Sequence, residues 1–196
     1  MGTVVFDISM SLDGYMTAAG QTGEEPLGPG GQRLTEWAFA DEQNQSYLAE
    51  QVAGLGAVIT GRTTYDTSLP WWGADGPSGP ARRPVFVLTH TAPDDAPAGG
   101  VYTFVVDGVE SALRQAQAAA GDQVVCIMGG ANVGQQFLAA GLVDEVSVHL
   151  VPVLFGAGTR MFDQLGPDHR QLEALDAVAT PTAIHTRFRV VKGDAS

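Results

Sequence analysis

Apolar positions along the chain switch between short unbroken runs and helical stripes. Thr3 to Met10 is rich in Val, Phe and Ile and breaks at Ser11-Leu12-Asp13-Gly14, which predicts a strand entering a turn. Residues 18–33 are rich in glycine and poor in apolar side chains, and predict a mobile surface loop. Tyr47, Leu48 and Val52 mark an amphipathic helix over Asp41 to Ala53, stopped by Gly54 and Gly56. Ala57 to Thr60 follows as a short apolar strand. Thr63 to Leu69 begins another helix, which Pro70 is expected to end, and residues 73–84 read as loop.

Val85 to Leu88 and Val101 to Val105 predict two further strands, separated from the next by a helical stripe of Val109, Ala112, Leu113 and Ala116. Val124 to Met128 shows no polar alternation, as expected of a parallel strand covered on both faces. It runs through Gly129-Gly130 into a helical stretch containing Val133, Phe137 and Leu138, closed by Gly141. The last third changes to strict alternation. Val146, Val148 and Leu150 alternate with Glu145, Ser147 and His149, and Ile184, Phe188 and Val190 with His185, Arg187 and Arg189. Alternation of this kind predicts antiparallel strands near a sheet edge. The pattern as a whole predicts one α/β domain over residues 1–196, with a mixed, mainly parallel central sheet, antiparallel C-terminal strands and helices on both faces.

Composition removes whole classes of function. The 196 residues hold 22 Asp and Glu against 10 Lys and Arg, a formal net charge of -12, and Lys192 is the single lysine. Neither a nucleic-acid backbone nor an anionic membrane surface suits so acidic a chain. For this length, surface scaling allows roughly 70% of the unfolded surface to be buried, enough for a substantial core. The single cysteine, Cys126, forms no intramolecular disulfide and sits in an apolar run, as a core residue would. No stretch approaches 18 apolar residues and no basic-then-apolar leader opens the chain, so a soluble, cytoplasmic protein is expected.

His90, His149, His169 and His185 are dispersed without metal-ligand spacing, so no metal is expected. There is no Gly-x-Ser-x-Gly elbow and no phosphate loop ending in lysine. Two glycine turns remain, each following an apolar strand and opening a helix: Gly61-Arg62-Thr63-Thr64 and Gly129-Gly130-Ala131-Asn132. Free backbone N–H groups at a helix start attract an anion, and small residues allow close approach. Either turn alone is a weak signal; together they suggest a dinucleotide held between two helix N-termini at the C-terminal ends of parallel strands.

Taken in order, Ser11-Leu12-Asp13-Gly14-Tyr15, Gly61-Arg62-Thr63-Thr64-Tyr65, the strand Pro84 to Leu88 with Thr89-His90-Thr91, Gly129-Gly130-Ala131-Asn132, and Val151 to Gly158 resemble the dihydrofolate reductase-like superfamily. The chain is most similar there to the reductase domain of bifunctional riboflavin-biosynthesis deaminase-reductases. That resemblance implies the three-layer fold of the superfamily and an NADPH-dependent reductase, a homodimer acting on a small heterocyclic substrate such as the ribosylamino-pyrimidine of riboflavin biosynthesis. By motif position, Gly61, Arg62, Thr63 and Thr64 would hold the cofactor phosphates. Thr89, His90 and Thr91 would lie near the adenosine ribose and its 2'-phosphate, and Gly129, Gly130, Ala131 and Asn132 would flank the pyrophosphate. The paired glycines of the superfamily often carry a cis peptide. Leu12, Asp13, Gly14 and Tyr15 would approach nicotinamide and substrate.

Two positions depart from the pattern. Folate reductases place a carboxylate on the first helix, where this chain has the amides of Gln43-Asn44-Gln45, which disfavours dihydrofolate as the acceptor. Asp41 and Glu42 nearby read as helix-capping and dipole partners. The riboflavin-pathway enzymes place an acid before the paired glycines, where this chain has Met128. Asp13 is the candidate for substrate contact or proton relay, with a plain Asp-Gly turn as the competing role. Trp37, Phe39, Trp71 and Trp72 flank predicted loops; Trp37 could cover a flat heterocycle, or all four could pack satellite cores. Arg160 could meet a substrate anion or form a surface ion pair. A non-catalytic nucleotide-binding or sensing protein on the same fold is the rival reading. At -12 the chain repels an anionic cofactor at long range, so arginines such as Arg62, and Arg82 and Arg83 ahead of the Val85 strand, must act locally.

Overall fold

The computed structural model describes residues 2–167 and 169–192. Ten strands and five helices follow one another as β1 (Val4–Ser11), β2 (Tyr15–Ala18), α1 (Arg33–Ala40), α2 (Glu42–Gly54), β3 (Leu55–Gly61), α3 (Arg62–Trp72), β4 (Val85–Leu88), β5 (Tyr102–Val105), α4 (Val109–Ala120), β6 (Val124–Met128), α5 (Ala131–Ala139), β7 (Glu145–Val151), β8 (Gly158–Arg160), β9 (Leu172–Ala179) and β10 (Ile184–Val190). Eight strands form one sheet in the order β5-β4-β3-β6-β1-β7-β10-β9, while β2 and β8 make a separate two-stranded ribbon. Pairing is parallel from β5 through to β7 and antiparallel where β10 joins β7 and β9. The expected mixed sheet is therefore present.

The two faces of the sheet are covered by different helices. Phe6, Ile59, Phe86 and Ile127 point toward Ala112, Ala116, Val133 and Phe137, so α4 and α5 close one face. On the other face α3 seats Tyr65 against Val58, Val85 and Val87. Leu34 and Trp37 of α1 pack with Val151 and Ala183, joined by Tyr47 and Leu48 of α2. Burial of a large apolar side chain contributes about 1.5–3 kcal/mol, so the fully buried Phe6, Phe137 and Ile59 anchor the layers.

Several expectations need correction. Pro70 does not end its helix: α3 continues to Trp72, and Gly73 at φ +53° terminates it, because a proline in the last turn removes only one hydrogen bond. Helix α1 follows directly on the glycine-rich stretch and was not read from the pattern, since just Leu34 and Trp37 of its eight residues are buried. The 18–33 stretch is not merely a mobile loop: Ala18 N–H bonds Leu27 C=O, and Gly28 and Gly31 are buried. β7 is not near the edge but lies between β1 and β10, and its polar Ser147 and His149 are buried. Its alternation marks a polar interior, not a solvent face.

Candidate active site

Because β1, β3, β4, β5, β6 and β7 run parallel, their C-terminal ends share one edge of the sheet. After β3 the chain moves outward to β4, and after β6 it moves the other way to β7, so the crevice beyond β3 and β6 is the point where the winding reverses. Open α/β sheets bind ligands at such a point. Both glycine turns lie there. An added Cβ at Gly129, whose φ is +70°, would stand 2.6 Å from Thr64 Cγ2, and one at Gly61 would stand 2.9 Å from Val133 Cγ2. The two turns are therefore in contact. Both peptide units of Gly129 and Gly130 are trans, contrary to the expected cis bond; positive φ at each glycine turns the chain instead.

Gly61 stands at the N-cap of α3 and Gly130 at that of α5, and neither helix has a side-chain cap. Their first-turn amides are consequently free to meet an anion, and the dipoles of the two helices reinforce this. Arg62 Nε donates to both carboxylate oxygens of Asp66 at 2.7 and 2.8 Å, while Nη1 donates to Thr91 C=O at 2.9 Å. Thr89 Oγ1 also donates to Thr91 C=O, at 2.7 Å. The structure thus gathers Arg62, Thr89 and Thr91 at one end of the crevice, with Thr63 and His90 exposed beside them. Asn132 is exposed on the first turn of α5, and Ala131 is buried. Arg82 and Arg83 precede β4 and so lie at the opposite edge, where Arg82 is held by Asp75 and Gly99 C=O.

The loop after β1 is pinned to the loop after β7. Asp13 accepts from Ser11 Oγ at 2.6 Å, Phe155 N–H at 3.2 Å and Gly156 N–H at 2.7 Å. Hydrogen bonding from Ser11, then from those backbone amides, outweighs desolvation and holds the Asp13 carboxyl at about 2. In this conformation Asp13 is an ionised staple with no proton to give at neutral pH. Leu12 is exposed, Gly14 takes φ +91°, and Tyr15 is buried with its hydroxyl donating to Gly156 C=O at 3.2 Å. Arg160 donates to that hydroxyl at 3.0 Å and lies 4.6 Å over the ring. A cavity of about 420 Å³ opens between Tyr15, Arg160 and the first turns of α5 at Asn132 and Gln135.

Trp37 does not join that group. Its Nε1 donates to Ser9 Oγ at 2.9 Å, and its ring packs 4.4 Å from His149 and 4.7 Å from His185. Beneath it runs a polar chain that dispersed histidines in the sequence concealed. Asp7 Oδ1 lies 3.2 Å from His149 Nε2, His149 Nδ1 lies 2.9 Å from His185 Nδ1, and His185 Nε2 lies 2.8 Å from Asn44 Oδ1. Asn44 is itself fixed, because its Nδ2 donates to Asp41 Oδ2 and Thr182 Oγ1. Asp41 caps α2 as expected. Two signals in the sequence could have revealed the chain: a lone carboxylate within an apolar first strand, and histidines at matching phases of two alternating strands. His149 and His185 are direct cross-strand partners.

Burial, with the His149 charge second, pushes the His185 pKa down to about 4. A histidine in the unfolded chain takes its proton near 6.5, so the unfolded state binds the extra proton first as pH falls. The His185 contribution is complete above about 6.5 and is lost between there and about 4. Melting temperature measured from pH 7 to pH 4 should fall accordingly, and fall less steeply in His185→Gln. Equal slopes in the two proteins would remove His185 as the cause.

The family model described as RibD C-terminal domain matches residues 2–186. Among curated proteins none matches the chain. A protein of Shewanella sp. PV-4 described as a riboflavin biosynthesis protein shares the fold at a TM-score of 0.73 and 23% identity, over 98% of this chain and 100% of that one. The diaminohydroxyphosphoribosylaminopyrimidine deaminase/5-amino-6-(5-phosphoribosylamino)uracil reductase of Thermotoga maritima has a TM-score of 0.65 at 16% identity, over 97% of this chain but 57% of its own. Dihydrofolate reductase of Enterococcus faecalis, complexed with NADP(H), has a TM-score of 0.62 at 16% identity, over 97% and 98%.

Proposed function

Since the chain belongs to the RibD C-terminal domain family, we propose that it is a reductase that binds NADPH in the crevice beyond β3 and β6 and reduces a small heterocycle. The observation that carries this reading is the meeting of two uncapped helix starts across Gly61, Thr64 and Gly129. That cradle would be filled by any Cβ, and its amides suit a pyrophosphate. The complex of the Enterococcus enzyme with NADP(H) supports the same choice of cofactor. When bound, reduced nicotinamide supplies the hydride; the chain supplies alignment and a dry site.

Within this reading, Gly61, Arg62, Thr63 and Thr64 hold phosphate oxygens and Gly129, Gly130, Ala131 and Asn132 flank the pyrophosphate. Thr89, His90 and Thr91 sit at the adenosine end. Leu12, Gly14 and Tyr15 shape the nicotinamide side, and Asp13 keeps their loop in place rather than relaying a proton. The acceptor class is an aminopyrimidine carrying ribose, in keeping with the activity named for the Thermotoga neighbour. Leu172 and Leu175 are exposed on the edge strand β9, which favours a homodimer through that strand. Among the described residues no helix is long and apolar enough to cross a membrane.

The test titrates NADPH and NADH by fluorescence, then follows nicotinamide absorbance with a ribosylamino-pyrimidinone and with dihydrofolate. Failure to bind either cofactor rejects the reading; binding without turnover on any acceptor favours a nucleotide sensor. Arg62→Ala separates the cofactors further. It should weaken NADPH about tenfold and NADH about twofold if the guanidinium meets the 2'-phosphate, since a charge-assisted contact of this kind contributes about 1.5–3 kcal/mol. Equal loss would place Arg62 elsewhere.

A further inference from the structure

The sheet face beneath α1 and α2 holds more polar chemistry than packing requires. In register across β6, β1, β7 and β10 it presents Met128, Asp7, Ser147 and Arg187, with Ser9, His149 and His185 one step along. A second cavity, of about 220 Å³, lies against this stripe and is lined by Asp7, His149, Trp37, Tyr47, Arg187 and Met128 among others. Buried polar atoms without a partner cluster here: Tyr47 Oη, Ser147 Oγ and Arg187 Nε. Such orphans are costly in a finished core and are characteristic of a site that expects a polar ligand.

Hydrogen-bond logic fixes the protons of the chain. Asn44 Nδ2 must donate to Asp41, so Asn44 Oδ1 accepts and His185 Nε2 carries hydrogen. A neutral His185 then offers a bare Nδ1, so His149 Nδ1 carries the hydrogen between the two rings. One proton remains to be shared between His149 Nε2 and Asp7 Oδ1, because a bare nitrogen facing a carboxylate would be repulsive. Desolvation alone would raise the Asp7 pKa, but the His149 charge and hydrogen bond, helped by the Ser147 hydroxyl nearby and by Arg187, hold it below the ordinary value. Ser147 helps by proximity only, since it makes no hydrogen bond of normal geometry. The geometry therefore aims an Nε2–H of His149 at the Asp7 carboxylate. The other charges around the pair are accounted for: Arg187 is bonded to Glu145, and burial raises both the Tyr47 hydroxyl and the Cys126 thiol, keeping them neutral.

We propose that Asp7 and His149, aligned by His185 and Asn44, form the proton-donating pair of the reduction. This rests on the reductase reading above. Asp7 pairs directly with Met128, the residue before the Gly129-Gly130 turn, so its carboxylate is on the strand next to the one that leads into the crevice. The Asp7–His149 contact, at 3.2 Å, is long for a charged pair, which leaves the N–H open to a second acceptor from the cavity. A bound reduced nicotinamide would supply hydride to the electrophilic carbon of a C=N or C=O group, and the heteroatom that gains the bonding pair needs a proton. The His149 Nε2–H bond breaks and the new N–H or O–H bond forms. The pair is left one proton short, facing a carboxylate with a bare nitrogen, and refills from solvent. His185 and Asn44 are positioning residues that fix the tautomer.

The experiment combines proton inventory with kinetics on the full chain. In protein labelled with ¹⁵N-histidine at pH 7, His149 should show both ring nitrogens protonated and His185 a single Nε2–H tautomer. Asp7→Asn should return His149 to a single ring proton. With NADPH and a ribosylamino-pyrimidinone, Asp7→Asn and His149→Gln should each lower kcat at least 100-fold, within the range for loss of a general acid, while NADPH affinity and KM stay within about threefold. Asp7→Glu should recover part of the loss, which a merely structural carboxylate would not require. A single ring proton on His149 in the wild-type protein, or more than a tenth of wild-type kcat in Asp7→Asn, overturns the proposal. Wild-type protein that binds NADPH but reduces no acceptor removes the reductase reading, and the proton donor with it.

Discussion

Gly129→Val is expected to weaken NADPH binding at least about 100-fold while leaving the protein folded. The residue sits at φ +70°, where a β-branched side chain is strained by roughly 1–3 kcal/mol, and its new Cβ would stand 2.6 Å from Thr64 Cγ2. Relief requires the turn and the start of α3 to separate, and that contact is what brings the two sets of free amides to one ligand. A 100-fold change corresponds to about 2.7 kcal/mol, comparable to losing one or two charge-assisted hydrogen bonds. Fluorescence titration of NADPH, with circular dichroism confirming the fold, reads the effect. A folded Gly129→Val protein that binds within threefold of wild type would show that the cradle is not where the cofactor sits.

Gly134→Ala should act in the opposite way, reducing stability with little effect on cofactor affinity in the protein that remains folded. On α5 the missing Cβ faces the Phe6 ring, and an alanine methyl would stand 2.1 Å from Cζ and 2.3 Å from Cε2. Phe6 is fully buried in the central strand, so the ring has no free space to enter. Alanine gains up to about 1 kcal/mol in helix propensity, but overpacking of this severity outweighs it. A net loss of roughly 3 kcal/mol would lower Tm by roughly 6–12 °C. Phe6→Leu should absorb most of the clash, so the double mutant tests the cause. Independent, additive losses would mean that the two residues do not meet.

Much of this architecture was readable because the chain obeys simple periodicities where it is buried on both sides. β4 and β6 are continuous apolar runs, and α4 shows the stripe of Ala112, Leu113 and Ala116 that it buries. The segments that escaped detection lack such contrast. β9 has side chains exposed on both faces, so burial writes no pattern into it, and β2 and β8 pair only with each other in a ribbon of three or four residues. The crevice beyond β3 and β6 was legible through glycines whose need is local. The Asp7–His149–His185–Asn44 chain was not, because each residue alone reads as an ordinary polar position in a strand or helix. Its meaning lies in the cross-strand register that pairs His149 with His185 and in a strand-to-helix contact that joins His185 to Asn44, 141 positions away.

The placement of β1 also dictates how the chain can fold. This first strand is flanked by β6 and β7, with Val4 beside Val125 and Val5 beside Glu145, so its neighbours emerge more than a hundred residues later. During synthesis β3, β4 and β5 can pair early, but their inner edge at β3 stays open until β6 appears. Closing such long loops before the contacts reward it makes folding slow and leaves an unpaired apolar edge in the nascent chain. The architecture that brings both halves of the crevice together therefore makes its assembly a late event, dependent on protection of β3 until the second half of the chain arrives.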